Sequence, residues 1–127
     1  MGAKVELGAD NVAGVVGVKH LLFLCGKARM RSPTAVEVCR RWQGVDADFA
    51  GLSNDADEPL TLDQIDTAEI IFVMEQRQKK RLRTLFGRQL ANKRIVCLDI
   101  PDKYDFMQAE LVTVLEAKLS NLLGLPR

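Results

Sequence analysis

Cys25 and Arg31 stand six positions apart in the stretch Leu22-Phe-Leu-Cys25-Gly-Lys-Ala-Arg-Met-Arg31-Ser32-Pro33. An apolar run ends in the cysteine, and the arginine is followed at once by a hydroxyl and a proline that can open a helix. This order describes a strand, a short loop and a helix N-terminus, with a nucleophile where the strand ends. Residues 26–31 (Gly26, Lys27, Ala28, Arg29, Met30 and Arg31) would then form a loop whose backbone N–H groups cradle an oxyanion, aided by the positive end of the helix dipole. The same field favours a thiolate at Cys25, the reactive form of the side chain. The planar fork of Arg31 suits two oxygens of a phosphate better than a lysine would. The chemistry implied is nucleophilic attack on a bound phosphoryl group or a related oxyanion.

The elements that would position these residues alternate regularly. Val18 to Leu24 is a nearly continuous apolar run, as expected of a strand buried on both faces. Pro33 to Trp42 reads as a helix, with Ser32 as a cap and Pro33 at its first position; Thr34 and Glu37 offer a capping box as an alternative start. Val45 to Leu52 gives a second strand ending at Gly51, Ser53 to Glu58 a polar loop, and Pro59 to Thr67 a short helix. Glu69 to Met74 is a third strand, followed by a charged helix from Glu75 to Phe86. Arg94 to Leu98 makes a fourth strand. Phe106 to Leu123 makes a last helix, with Leu111, Val114, Leu115, Leu119, Leu122 and Leu123 at helical spacing, ended by Gly124 and Pro126. The pattern predicts an α/β domain over residues 18–127, a four-stranded parallel sheet flanked by helices on both faces, in a flavodoxin-like three-layer sandwich. Residues 1–17 are expected to be an irregular extension. In such a sheet ligands bind beyond the carboxyl ends of the strands. The Cys25 loop and the Asp99-Ile-Pro-Asp102 segment both follow strands, so they must emerge at the same edge.

Composition narrows the function classes. The 127 residues carry a net charge of +1, which gives no bulk attraction to nucleic acid. No apolar run approaches the ~20 residues that span a bilayer, so no membrane partner is expected. No secretory leader pattern opens the chain. Three cysteines without paired spacing and a single histidine argue for a reducing, cytoplasmic setting, with no metal site and no cofactor. Cys39 and Cys97 fall on apolar positions and are expected in the core. His20 is read as a packed or edge residue of the first strand. The basic run Arg77, Lys79, Lys80, Arg81 and Arg83 is expected to be a solvated helix face, with an acidic docking surface as its alternative.

From Lys19 to about Leu119 the chain resembles the low-molecular-weight protein tyrosine phosphatase family, in particular a short bacterial-type subgroup. The resemblance rests on Cys25-(x5)-Arg31-Ser32-Pro33, on Ala50-Gly51, on Ile70-Ile-Phe-Val-Met-Glu75, and on Asp99-Ile-Pro-Asp-x-Tyr104. It implies a phosphotyrosine phosphatase I-like fold and a phosphomonoester hydrolase acting through a phosphocysteine. Cys25 would be the nucleophile, Arg31 and the loop amides the phosphate clamp, Ser32 a donor to the sulfur, and Asp102 the general acid, with Asp99 as the alternative. Tyr104 and Met30 would wall the pocket. The expected partners are a phosphotyrosine protein or a small aryl phosphate, with inorganic phosphate or another oxyanion in the loop. The chain departs from the family pattern at several points. Ala28 stands where asparagine is usual, Met30 where a second cysteine is frequent, Lys27 where glycine is frequent, and Lys103 where proline follows the acid. The competing readings are a catalytically weak phosphate- or phosphopeptide-binding module, a thiol-dependent arsenate reductase, and a phosphocysteine carrier. The reductase is disfavoured because no resolving cysteine lies between Cys39 and Cys97, and the carrier because it does not call for Arg31.

Overall fold

A computed structural model describes residues 19–126; the expected irregular extension, Val18 and Arg127 lie outside them. The chain runs β1 (Lys19–Cys25), α1 (Arg31–Cys39), β2 (Val45–Gly51), α2 (Leu62–Thr67), β3 (Ile70–Val73), α3 (Gln76–Phe86), β4 (Arg94–Cys97) and α4 (Ala109–Leu123), with a 3-10 turn at Gly87–Leu90 before β4. All strand pairs are parallel and the sheet order is β2-β1-β3-β4. The strand order reverses at β1, which places the crevice for a ligand directly above Cys25.

Alternation along β1 divides the interior. Leu21, Phe23 and Cys25 point to one face, where they join a core with Ala35, Val38 and Cys39 of α1 and Leu111, Leu115 and Leu119 of α4. Leu22 and Leu24 point to the other and meet Ile65 of α2 and Leu82 of α3. The rings of Phe23 and Phe72 stack at 5.0 Å across β1 and β3. Cys39 is one of the core side chains, and burial pushes its thiol up to about 12, so it stays protonated and inert. Cys97 is only partly buried, because β4 is an edge strand.

Three helix starts differ from the sequence expectation by two or more residues, each for a local reason. α1 begins at Arg31 behind Met30, with no side-chain cap. The Ser32 hydroxyl is engaged by the Cys25 sulfur instead, and Thr34 donates to the Met30 carbonyl rather than forming a capping box with Glu37. α2 begins at Leu62, capped reciprocally by Thr61 and Gln64, because Pro59 pairs with Gly51 as an extension of the sheet. α4 begins at Ala109, since Met107 takes a left-handed conformation (φ 61°) that breaks the turn before it. Gly124, also left-handed, ends α4.

Gly51 has a structural role that sequence pattern alone does not reveal. A Cβ at this position would stand 2.7 Å from the Gly26 carbonyl oxygen, 3.0 Å from the Lys27 carbonyl carbon and 2.5 Å from Ala56 Cβ. Two of those atoms belong to the backbone of the Cys25 loop and cannot swing aside. Gly51→Ala is therefore expected to lower stability by about 1–3 kcal/mol through overpacking. Because the strain falls on the loop, phosphate affinity measured by calorimetry should fall with it, and an unchanged affinity would show the loop to be independent of this contact.

Candidate active site

β1 delivers Cys25 to the carboxyl edge of the sheet, and the chain must then turn to enter α1. The turn is made at Ala28, whose φ of 63° lies in the left-handed region. For an alanine this costs roughly 1–2 kcal/mol, which surrounding contacts must offset. They come from the segment after β2. The Leu52 amide donates to the Cys25 carbonyl (3.0 Å), Ser53 to that of Gly26 (2.8 Å), and Asp57 to that of Lys27 (3.0 Å). Side chains repeat the arrangement, with Lys27 on Asp55 and Arg29 on Asp57, both at 2.9 Å. The Ser53 hydroxyl and Lys27 together hold the Asp55 carboxyl down at about 2. Lys27 and Arg29 thus meet carboxylates of the neighbouring loop, and the positive charge they bring to that rim is largely neutralised.

The Cys25 sulfur lies 3.0 Å from the buried Ser32 hydroxyl. Arg31 is 3% exposed, unusual for an arginine. One amine nitrogen (Nη1) donates to the Ile100 carbonyl at 2.8 Å and stands 3.1 Å from Glu75 Oε1. No hydrogen bond from the other edge of the fork, Nε and Nη2, to any described residue is formed, which leaves that edge for a bidentate acceptor. Partial burial pushes the Glu75 carboxyl up, but hydrogen bonds from Arg31 and Arg77 outweigh it and the net shift is downward. An ionised Glu75 fixes Arg31 from behind. Glu75 in turn is held by a reciprocal cap with Gln78, whose side-chain oxygen accepts from the Met74 and Glu75 amides.

A cavity of about 730 Å³ opens above Cys25. Gly26, Lys27, Arg29, Met30 and Arg31 line it, as does Asp102, whose carboxylate oxygen lies 3.8 Å from Arg31 Nε. Ala28 is buried and does not line the cavity. Asp102 is 64% exposed at its side chain and sits on a loop held to the body of the domain. The Leu98 and Ile100 amides continue the pairing onto β3, and the Ile100 side chain is fully buried. Asp99 faces away from the cavity. It accepts the Cys97 thiol at 3.3 Å and takes the left-handed turn (φ 54°) that redirects the chain.

Tyr104 is a correction to the sequence reading. Its ring packs against the α1–α4 core, with the Lys103 ammonium 5.5 Å from its centroid, and it is not part of the cavity wall. The wall is formed instead by Leu52, Ser53 and Asn54 on one side and by Arg77, Gln78 and Arg81 on the other. Pattern alone makes Ser53–Glu58 a polar loop and the α3 cations a solvated helix face or a docking surface for an acidic partner. The topological argument that joins Cys25 to Asp102 applies equally to the ends of β2 and β3, and would have found Leu52 and Glu75. Among the described residues no group of three or more His, Cys, Asp or Glu side chains is placed to hold a metal ion. No helix among them is long and apolar enough to cross a membrane.

No protein-family model and no curated protein matches the sequence. Solved structures do. SP-PTP, a low-molecular-weight protein tyrosine phosphatase from Streptococcus pyogenes, superposes with a TM-score of 0.70 at 14% identity, over 84% of this chain and 92% of that one. Wzb from Vibrio vulnificus, solved with benzylphosphonate, gives 0.69 at 16% identity, over 85% and 99%. The YwlE arginine phosphatase from Geobacillus stearothermophilus gives 0.66 at 19% identity, over 84% and 93%. The parallel β2-β1-β3-β4 sheet, the loop that carries Cys25 into α1 and these superpositions give the chain the fold of the low-molecular-weight protein tyrosine phosphatases.

Proposed function

We propose that the chain is a phosphomonoester hydrolase of the cytoplasm that uses Cys25 as nucleophile and passes through a phosphocysteine. The observation that carries this reading is the convergence of the Cys25 sulfur, the open edge of Arg31 and the Asp102 carboxyl on one cavity. The Cys25 thiolate attacks phosphorus, and the bond from phosphorus to the ester oxygen breaks. Arg31 and the loop amides hold the remaining phosphoryl oxygens as charge moves onto them. Asp102 gives its proton to the departing oxygen, then takes one from the water that hydrolyses the phosphocysteine, releasing phosphate and restoring the thiolate. Ser32 donates to the sulfur when it leaves as an anion. The apolar flanks Met30 and Leu52 suit an aryl leaving group, and Wzb holds a ligand of that shape.

Two rival readings have specific support. Ala28 strains the loop, which favours a binding module of little activity. The likeness to YwlE raises phosphoarginine as a substrate, but its leaving group is a cationic guanidinium, and Arg77 and Arg81 on the wall oppose it. A rapid quench of the protein with 4-nitrophenyl phosphate is expected to show by intact mass one added phosphoryl group, located on Cys25 after digestion. Steady turnover without any such adduct would exclude the covalent route; neither adduct nor turnover would leave the binding module.

A further inference from the structure

The cavity is much larger than a phosphoryl group requires; its volume is in the range that encloses a whole drug-sized ligand. Its charge is also unevenly spread. On the rim formed by the Cys25 loop, Lys27 and Arg29 are paired with Asp55 and Asp57. At the floor, Arg31 is matched by Glu75 at 3.1 Å, with Asp102 a more distant partner at 3.8 Å. On the α3 wall, among the described residues Arg77 pairs only with that same Glu75 carboxylate, at 3.2 Å. Arg81 follows one helical turn later on the same face and is exposed; among the described residues no carboxylate lies within ion-pair distance of it. The uncompensated positive charge of the cavity is therefore concentrated on the α3 wall.

Resting on the phosphatase reading above, we infer that Arg81, backed by Arg77, is an anion subsite, and that the preferred substrate is a phosphotyrosyl peptide carrying a second negative group close to the phosphotyrosine. A guanidinium presents a flat fork that a carboxylate or a phosphate can each engage, so the shared requirement is an oxyanion on the peptide. With the phosphoryl group in the Cys25 loop, the peptide must leave the cavity along one of its walls, and the α3 wall is the one that attracts an acidic flank. The neutralised rim opposite offers no such attraction.

The test compares three phosphotyrosyl peptides that differ at one flanking position, holding glutamate, a second phosphotyrosine or glutamine. The glutamate and doubly phosphorylated peptides are expected to exceed the glutamine peptide by about tenfold in kcat/KM at low ionic strength, with the ratio falling as salt is raised. Arg81→Gln should bring the ratio near one, and Arg81→Glu should invert it. Arg83→Gln, on the neighbouring face of α3 with Lys79 and Lys80, should leave the ratio as it is. A ratio near one in the native protein, or one that survives Arg81→Gln, overturns the subsite. A preference for the second phosphotyrosine with none for glutamate narrows the anion to phosphate. The same peptides titrated by fluorescence anisotropy against the Cys25→Ser protein give the preference without turnover. If that preference is present while native protein cleaves nothing, the subsite stands and the hydrolase reading falls.

Discussion

Cys25→Ser is expected to reduce turnover of an aryl phosphate by at least about 10⁴-fold while inorganic phosphate still binds. The substitution keeps the strand, the loop and Arg31 in place, because none of the hydrogen bonds that shape the loop uses the sulfur except that to Ser32. What changes is the nucleophile. A serine hydroxyl holds its proton at neutral pH, and among the described residues no histidine or carboxylate lies within hydrogen-bond distance of the sulfur to remove it. Phosphate, by contrast, is held by the loop amides and the open edge of Arg31, which do not need the sulfur. Kinetics with 4-nitrophenyl phosphate and calorimetry with phosphate separate the two effects. Turnover above a trace would place the nucleophile elsewhere, and loss of phosphate binding would show that the sulfur shapes the loop.

Asp102→Asn should slow the cleavage of alkyl or unsubstituted phenyl phosphates by on the order of 10²–10⁴-fold, the usual worth of a positioned general acid. Esters with strongly acidic leaving groups, which depart without a proton, should lose far less in the first step. A plot of rate against leaving-group acidity would therefore steepen in the variant. Asp99→Asn is the control. The Asp99 side chain points along β4 to Cys97, and asparagine tolerates the left-handed backbone that this position adopts. Its effect should be small and indifferent to the leaving group. An unchanged slope for Asp102→Asn would remove Asp102 from the acid role, and a steepened slope for Asp99→Asn would transfer that role to Asp99.

Much of the fold was legible because the apolar runs at Leu21–Leu24 and Ile70–Val73 are long, uninterrupted and separated by helical patterns, which leaves few arrangements besides a parallel sheet. The meeting of Cys25 with Asp102 followed from topology alone. What was not legible depends on groups whose partners are distant in sequence. For Ser32 the sequence offers two roles, helix cap and donor to the Cys25 sulfur, and only the 3.0 Å contact with Cys25 selects the second. Tyr104 looks like a pocket wall until its ring is found against the α1–α4 core. Lys27 and Arg29 look like free cations until the β2 loop brings Asp55 and Asp57 beside them. In each case a local residue preference was overridden by a partner that the chain supplies 7 to 28 positions away or by packing further off still.

The hydrogen bond from Arg31 to the Ile100 carbonyl spans 69 positions of sequence. Helix α1 is a local structure and the loop before it needs only the segment after β2, but the guanidinium acquires its final seat only when β4 has docked on β3 and brought that carbonyl with it. Parallel strands joined by helical crossovers are late and slow to assemble, because loop closure must precede the contacts that reward it. The anion clamp is therefore complete only with the whole sheet: a chain that has gained its helices but not docked β4 lacks the working geometry of Arg31. Competence to bind phosphate tightly is in this sense a certificate of a completed sheet, held back until the edge strand is in place.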